Sequence, residues 1–301
     1  MSSVQTAATS WSTTFLSGNP RSQSRQEYAL IVLNQPFEFS LLRRLWSACS
    51  IKCCADGGAN RLYDTLLAKH QQVKHYLPAF IKGDLDSIRS DVRTEYANLG
   101  VSCIEDRDQY STDLMKCVSE IETREASDHV KYDIVLLGGL SGRLDQTVHT
   151  LSYLHKLRKT RPRTFVVTDD NVGWVLDSGE HIIRIDNSVM ASNCGLLPVG
   201  VQSTVLSTTG LRWNLNEATS SFDGMVSTSN ATESAEVWIK TSEPIWWCIE
   251  LQRSWPDARS GIDTGLFNRI ATLVTACMFR ADRLATEIPE QLEQLFEQRH
   301  D

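Results

Sequence analysis

The sequence predicts an N-terminal α/β domain with a mostly parallel sheet, followed by an all-β sandwich and a helical C-terminal extension. Three observations carry this. Between residues 28 and 177, short apolar runs alternate with longer stretches of helical spacing. From 178 to 251 only short β-type runs remain, and beyond 252 helical spacing returns. Continuous apolar runs alternating with amphipathic stretches read as βαβ units, whose strands are covered on both faces. The expected divisions are therefore 1–26, a disordered extension; 27–177, an α/β domain; 178–251, a β-sandwich; and 252–301, a helical extension.

In chain order, the first 26 residues are rich in Ser and Thr, lack acidic residues, and carry only Arg21 and Arg25 as basic ones. Disorder is the expectation for them. No apolar stretch of a secretory signal follows, and a mitochondrial transit peptide is the second reading. Strands are expected at 28–33 (YALIVL), 51–55 (IKCCA), 77–81 (LPAFI), 101–104, 133–137 (DIVLL) and 164–168 (TFVVT). Between them, Leu41, Leu42, Leu45 and Trp46 form one helical face, Leu62, Leu66 and Leu67 another, and Leu144, Val148, Leu151 and Leu154 a third. The runs HIIRI, STVLSTT, GMVSTS, AEVWIK and IWWCIEL, punctuated by Gly, Asn, Ser and Asp, read as an antiparallel sandwich or barrel. Leu266, Phe267, Ile270, Leu273, Val274, Cys277 and Met278 recur at helical spacing; Pro289 interrupts, and Leu292, Leu295 and Phe296 begin a second helix.

Composition narrows the function. With 301 residues and 41% hydrophobic content, the chain can bury a sizeable core. A net charge of −7 argues against a nucleic-acid or acidic-membrane partner, which would favour a basic face. No apolar run reaches the ~18 residues of a membrane-spanning helix. The eight cysteines form no CxxC pair, so reduced, buried thiols of a cytoplasmic protein are expected rather than a zinc site or disulfides.

Four clusters, each at a strand end or helix start, carry chemistry. In an open parallel sheet such positions converge in space. In Ala55-Asp56-Gly57-Gly58-Ala59-Asn60-Arg61, two glycines at a strand-to-helix turn let backbone N–H groups approach an anion, although an ordinary glycine turn looks the same. In Gly83-Asp84-Leu85-Asp86-Ser87, two carboxylates can share a hard cation such as Mg²⁺, or serve as a helix cap. In Ser111-Thr112-Asp113, the residues cap a helix, and Asp113 is also a candidate metal carboxylate with Lys116 one turn on. The run GGLSGRLDQ (138–146) places three glycines beside Arg143, Asp145 and Gln146. It reads as a second phosphate-cradling turn, with Arg143 as a planar fork for phosphate oxygens. Phosphoryl-type transfer needs such parts, because its catalysis is mostly positioning and electrostatics. The chain lacks GxxxxGK[ST], and no GxGxxG follows the first strand, which disfavours a P-loop enzyme and a Rossmann dehydrogenase.

The segments CADGGANRLYD (54–64), GDLDS (83–87), STD (111–113) and GGLSGRLDQ (138–146) resemble consecutive motifs of eukaryotic thiamine pyrophosphokinases. GLLPVG (195–200), TTGLRWNL (208–215) and VSTSN (226–230) resemble that family's second-domain motifs, in the same order. The resemblance spans about residues 28–251 and implies transfer of a diphosphate from Mg·ATP to the thiamine hydroxyl, with release of AMP. It further implies a homodimer with active sites in clefts between subunits. By motif position, Asp84, Asp86 and Asp113 would hold Mg²⁺ and the ATP phosphates. Asp56, Gly57, Gly58 and Asn60 would line the nucleotide end, with Lys116 facing phosphate. Arg143, Asp145 and Gln146 would sit near the transferred group, and Trp213, Ser229 and Asn230 at the thiamine end. From the residues alone, Trp213 serves equally well as sandwich core. Tyr110 and Ser111 depart from the animal pattern, which has an acidic residue and a histidine there, and the tail after 252 lies outside it. Two rival readings are a haloacid-dehalogenase-like phosphatase, using Asp84-x-Asp86 and Thr168-Asp169-Asp170, and a catalytically silent thiamine or nucleotide binder.

Overall fold

The computed structural model describes residues 7–17 and 26–252. The expected helices of 252–301 lie, but for residue 252, outside the described residues. The first strand of the α/β region is β2 (Glu27–Val32); β3 (Ile51–Ala55), β4 (Phe80–Gly83), β5 (Ser102–Glu105), β6 (Tyr132–Leu137) and β7 (Thr164–Val167) follow. Helices α1 (Phe39–Ala48), α2 (Gly58–Ala68), α3 (Ser90–Asn98), α4 (Asp113–Asp128) and α5 (Leu144–Leu157) connect them. The order β7-β6-β2-β3-β4-β5 is parallel throughout. From β2 the chain steps outward through β3, β4 and β5, then returns over α4 to β6 on the other side of β2. That reversal opens a crevice at the strands' carboxyl ends, where open α/β sheets bind ligands. Val32, Cys54 and Leu137 stand side by side at that edge.

The remaining strands are β8 (Asn171–Leu176), β9 (Gly179–Arg184), β10 (Met190–Leu197), β11 (Thr204–Thr209), β12 (Ala218–Ser220), β13 (Ser227–Ala231), β14 (Glu236–Thr241) and β15 (Ile245–Leu251). β8 is absent from the sequence-based strand assignments. It pairs antiparallel with both β7 and β15, and through β15 the sheet continues into β10 and β13. The result is one ten-stranded sheet, β13-β10-β15-β8-β7-β6-β2-β3-β4-β5. A second, five-stranded sheet has the order β1-β9-β14-β11-β12, where β1 is Thr9–Trp11.

Strand β1 corrects the expectation of disorder for 1–26 over residues 7–17. β1 pairs in parallel with β9, and Trp11, Phe15 and Leu16 are all buried. Burying three large apolar side chains offsets the entropy of ordering so short a segment. Trp11 packs on Phe165 and Trp174, and its Nε1–H donates to His181 Nδ1 at 3.1 Å.

Strand alternation sorts the core onto the two faces of the large sheet. Leu30, Val32, Cys54, Ile81, Val135 and Leu137 meet α1, α2 and the buried N-terminal segment, whereas Ile31, Cys53, Phe80, Ile134 and Leu136 meet α4 and α5. Two expected helical faces are only partly buried. Leu67 is half exposed, and on α5 Leu144 and Val148 are exposed while Leu154 and Leu157 are covered. Only the second half of α5 therefore packs on the sheet; its first turn projects beyond the strand ends beside the crevice.

Candidate active site

A cavity of about 530 Å³ opens at the carboxyl ends of β2, β3, β4 and β6. Asp84, Asp113, Lys116, Arg143 and Gln146 line it. Asp56, Gly57, Gly58, Asn60, Asp86 and Asp145 do not, and neither do Trp213, Ser229 and Asn230.

Asp84 and Asp113 form its floor, and a third carboxylate, Asp56, is buried behind them; each comes from a separate segment. Asp56 follows β3, Asp84 follows β4, and Asp113 opens α4, whose N-terminus is capped by the Thr112 hydroxyl. One oxygen from each of these three acids lies within 4.8 Å of the others. Asp86, expected in this group, is exposed and accepts a bond from the Ser87 hydroxyl at 2.8 Å. Asp56 takes its place because it is buried beneath the loop and aligned by the β3–β4 register. Glycine at 83 is what allows the approach: a Cβ there would lie 2.7 Å from the Asp56 Cβ and 2.9 Å from an Asp113 oxygen.

Burial raises the Asp56 carboxyl, and the Ser87 and Ile88 N–H groups, at 2.9 and 3.0 Å, partly offset this. Burial also raises Asp113, reinforced by the charges of Asp56 and Asp84 and opposed by Lys116. Lys116 Nζ, itself buried, lies 3.5 Å from Asp113 Oδ1. Crowded, partly desolvated carboxylates favour a bound cation, and an all-oxygen donor set suits a hard divalent ion such as Mg²⁺.

Around this floor, side chains of the expected nucleotide end brace the loops. Asn60 donates to the Ser87 carbonyl at 2.8 Å and accepts from the Arg89 N–H at 3.0 Å, tying α2 to the loop after β4. Gly58 is required for packing, because a Cβ there would sit 2.1 Å from the Val32 carbonyl oxygen. Arg143 and Asp145 form an exposed two-pronged ion pair at 3.1 and 2.6 Å, which raises the guanidinium and holds the carboxyl low. Ser111 lines the cavity, whereas Tyr110 is almost wholly exposed.

Sequence reading missed Asn34, Gln35 and His149, which also line the cavity, as does Arg61 of the first glycine cluster. Arg61 Nε donates to Asn34 Oδ1 at 3.1 Å, which holds a cation of α2 at the cavity wall. Two amides directly after a buried strand were the available signal. Asp169, the acid of the phosphatase-like reading, instead accepts from the Glu38 N–H at the start of α1, at 3.0 and 3.1 Å.

The other expected group forms a separate surface. Trp213 is 57% exposed, so it is not sandwich core. Arg212 lies 5.6 Å over its ring and pairs with Glu233 at 2.9 Å. Asn230 is buried and fixes the loop: it accepts from the Trp213 N–H at 3.2 Å and donates to the Trp213 carbonyl at 2.9 Å. Ser229 adopts a left-handed backbone, with φ of 55°.

Comparison with known proteins follows the same division. Residues 42–166 match the family described as thiamin pyrophosphokinase, catalytic domain, and residues 180–246 the thiamin pyrophosphokinase, vitamin B1 binding domain. Thiamine pyrophosphokinase 1 of Oryza sativa subsp. japonica is 37% identical over 243 residues, covering 77% of this chain and 90% of the relative. Among solved structures, yeast thiamin pyrophosphokinase aligns with a TM-score of 0.70 at 28% identity, over 80% of this chain and 90% of the other. The thiamin pyrophosphokinase from Candida albicans aligns with a TM-score of 0.70 at 27% identity, over 75% and 90%.

Proposed function

This chain belongs to the thiamine pyrophosphokinase family, and we propose that its diphosphate transfer takes place over the Asp84–Asp113 floor of the cavity, with Asp56 buried behind it. The protein is a thiamine diphosphokinase. The observation that carries the placement is the convergence of those carboxylates with Lys116, Arg61 and Arg143 on one cleft. Asp84 and Asp113, with Asp56 behind them, would hold Mg²⁺; Asp86 would act from the loop surface. Bound there, the ion neutralises the triphosphate and polarises its oxygens.

In this reading the thiamine hydroxyl attacks the β-phosphorus of ATP in line. The new oxygen–phosphorus bond forms as the bond to the α-phosphate oxygen breaks; AMP leaves with that oxygen, and the hydroxyl proton is released to water. Lys116 and Arg143 meet the charge on the transferred group. Asp145, kept ionised by Arg143, holds the guanidinium fork in place, and Gln146 on the same turn of α5 reaches the transferred group. Asn60 and the Gly57-Gly58 turn support the nucleotide end. Trp213, held by Asn230 and followed along the chain by Ser229, would offer an aromatic face to the thiamine cation.

Because the cavity contains none of these last residues, the reading includes a homodimer in which one subunit's Trp213 surface faces the other's cavity. The seven cysteines among the described residues are free thiols, which suits a cytoplasmic setting. No described helix is long and apolar enough to cross a membrane.

Phosphorus NMR on protein, ATP, Mg²⁺ and thiamine tests the chemistry. AMP and thiamine diphosphate appearing together support it. Free phosphate would indicate the phosphatase, and absence of turnover a silent binder.

A further inference from the structure

The turn GGLSG after β6 looks like an anion nest, yet three of its backbone donors and the Ser141 hydroxyl are already taken. Gly138 N–H donates to the Val167 carbonyl at 2.8 Å. Gly139 N–H, Ser141 N–H and the Ser141 hydroxyl all donate to one atom, Gln35 Oε1, at 2.7, 3.2 and 2.9 Å. Gln35 Nε2 in turn donates to the Ser141 carbonyl at 2.6 Å. Gln35 is 9% exposed and stands just past β2, the strand at which the sheet order reverses. The backbone is shaped to accept it: Gly138 and Gly139 have φ of 95° and 99°, and a Cβ on Gly138 would lie 3.2 Å from the Gln35 Cβ. A side-chain amide oxygen thus occupies the place an anion oxygen would take in such a nest.

We infer that Gln35 is a positioning residue for diphosphate transfer: it fills the glycine nest so that phosphate meets Arg143 and Gln146, which the clamped turn holds at the cavity, instead of the turn's backbone. The inference rests on the site reading above. It also corrects the expectation that this turn cradles phosphate through its own N–H groups, since those of Gly138, Gly139 and Ser141 are spent. A buried amide making four bonds is costly to leave half satisfied, so the clamp has one preferred geometry.

Two variants test it. Gln35→Met keeps the shape and removes every bond, and kcat should fall ~10²-fold through misplacement of the turn. Gln35→Glu gives a pH signature. The protonated acid reproduces the amide's pattern, one oxygen accepting and the other donating to Ser141. The ionised form instead sets a carboxylate oxygen against the Ser141 carbonyl. The ratio of Gln35→Glu to wild-type kcat should therefore rise as pH falls, with both proteins folded by circular dichroism. A packing role alone gives no such slope. A Gln35→Met kcat within twofold of wild type, or a Gln35→Glu ratio independent of pH, overturns the inference; if the Met variant does not fold, the Glu profile decides. Asp84→Asn assayed in parallel separates the two claims. If it stays active, the site reading fails; if it is inactive while Gln35→Met is normal, only the role of Gln35 fails.

Discussion

The parallel half of the large sheet and the antiparallel region after it treat their polar residues in opposite ways. At the carboxyl ends of β2, β3, β4 and β6, acids and cations from distant segments converge on one concave site, and amides such as Asn60 and Gln35 brace its loops. In the antiparallel region, the buried amide of Asn230 braces a loop that presents Trp213 outward, with no shared cavity. Strands that all end at one edge gather chemistry within a chain, whereas strands that alternate direction disperse it to both ends. The first region is a pocket without an aromatic wall and the second a wall without a pocket, and the homodimer proposed above would bring the two together.

The sharpest way to break this contrast is at the cavity floor. Asp84→Asn or Asp113→Asn should lower kcat ~10³-fold with little change in melting temperature, since removing a metal carboxylate removes several kcal/mol of charge stabilisation. Near-normal turnover at saturating Mg²⁺ in both variants would remove the metal role from this half. On the other wall, Trp213→Ala should raise the KM for thiamine by about 2- to 30-fold, the range of a cation–π contact of ~0.5–2 kcal/mol, and leave the KM for ATP unchanged. Equal effects on both KM values would mean that Trp213 acts on the fold and not on thiamine.

The smallest effect separates stability from chemistry. His181 accepts from Trp11 on Nδ1 and contacts the Asp177 carbonyl through Nε2 at 2.8 Å, a pattern that only the neutral ring can satisfy. Burial lowers its pKa below the ordinary 6.5. Below pH 6.5 the unfolded chain therefore binds a proton that the fold refuses, so stability is full above that pH and falls as pH drops through it. The expected slope is at most about 1.4 kcal/mol per pH unit. Thermal melts between pH 8 and pH 5 should show the decline, and His181→Gln should flatten it. An unchanged slope in the variant would show that other groups cause it.

Much of the cavity's lining was readable from the sequence, because Asp84, Asp113, Lys116, Arg143 and Gln146 stand in turns that directly follow apolar runs or open a helix. Asp56 was read as part of a nucleotide turn. Its place beside Asp84 depends on which residues of β3 and β4 pair, and local patterning does not encode that. Gln35 escaped notice because a single glutamine after a strand carries no period or motif; its four bonds all go to residues more than 100 positions away. The segment 7–17 was hidden by its Ser- and Thr-rich surroundings, although Trp11, Phe15 and Leu16 were apolar anchors in plain view. Strand β8 and the passage of the large sheet through it were missed for a similar reason: Gly173 interrupts the run, and its backbone is covered by pairing with β7 on one side and β15 on the other.

The central claim is that the pocket of one chain is completed by the wall of another, and subunit mixing tests it most directly. One partner carries Asp84→Asn; the other carries Trp213→Ala together with Asn230→Ala, which releases the whole loop. After random exchange, half of the dimers are mixed, and each of these has one cleft with both defects and one with neither. Activity at low thiamine should then rise above the sum of the parents, toward roughly a quarter of wild type. If exchange is verified by mass and activity stays at the sum of the parents, each chain holds its own complete site and the account is wrong.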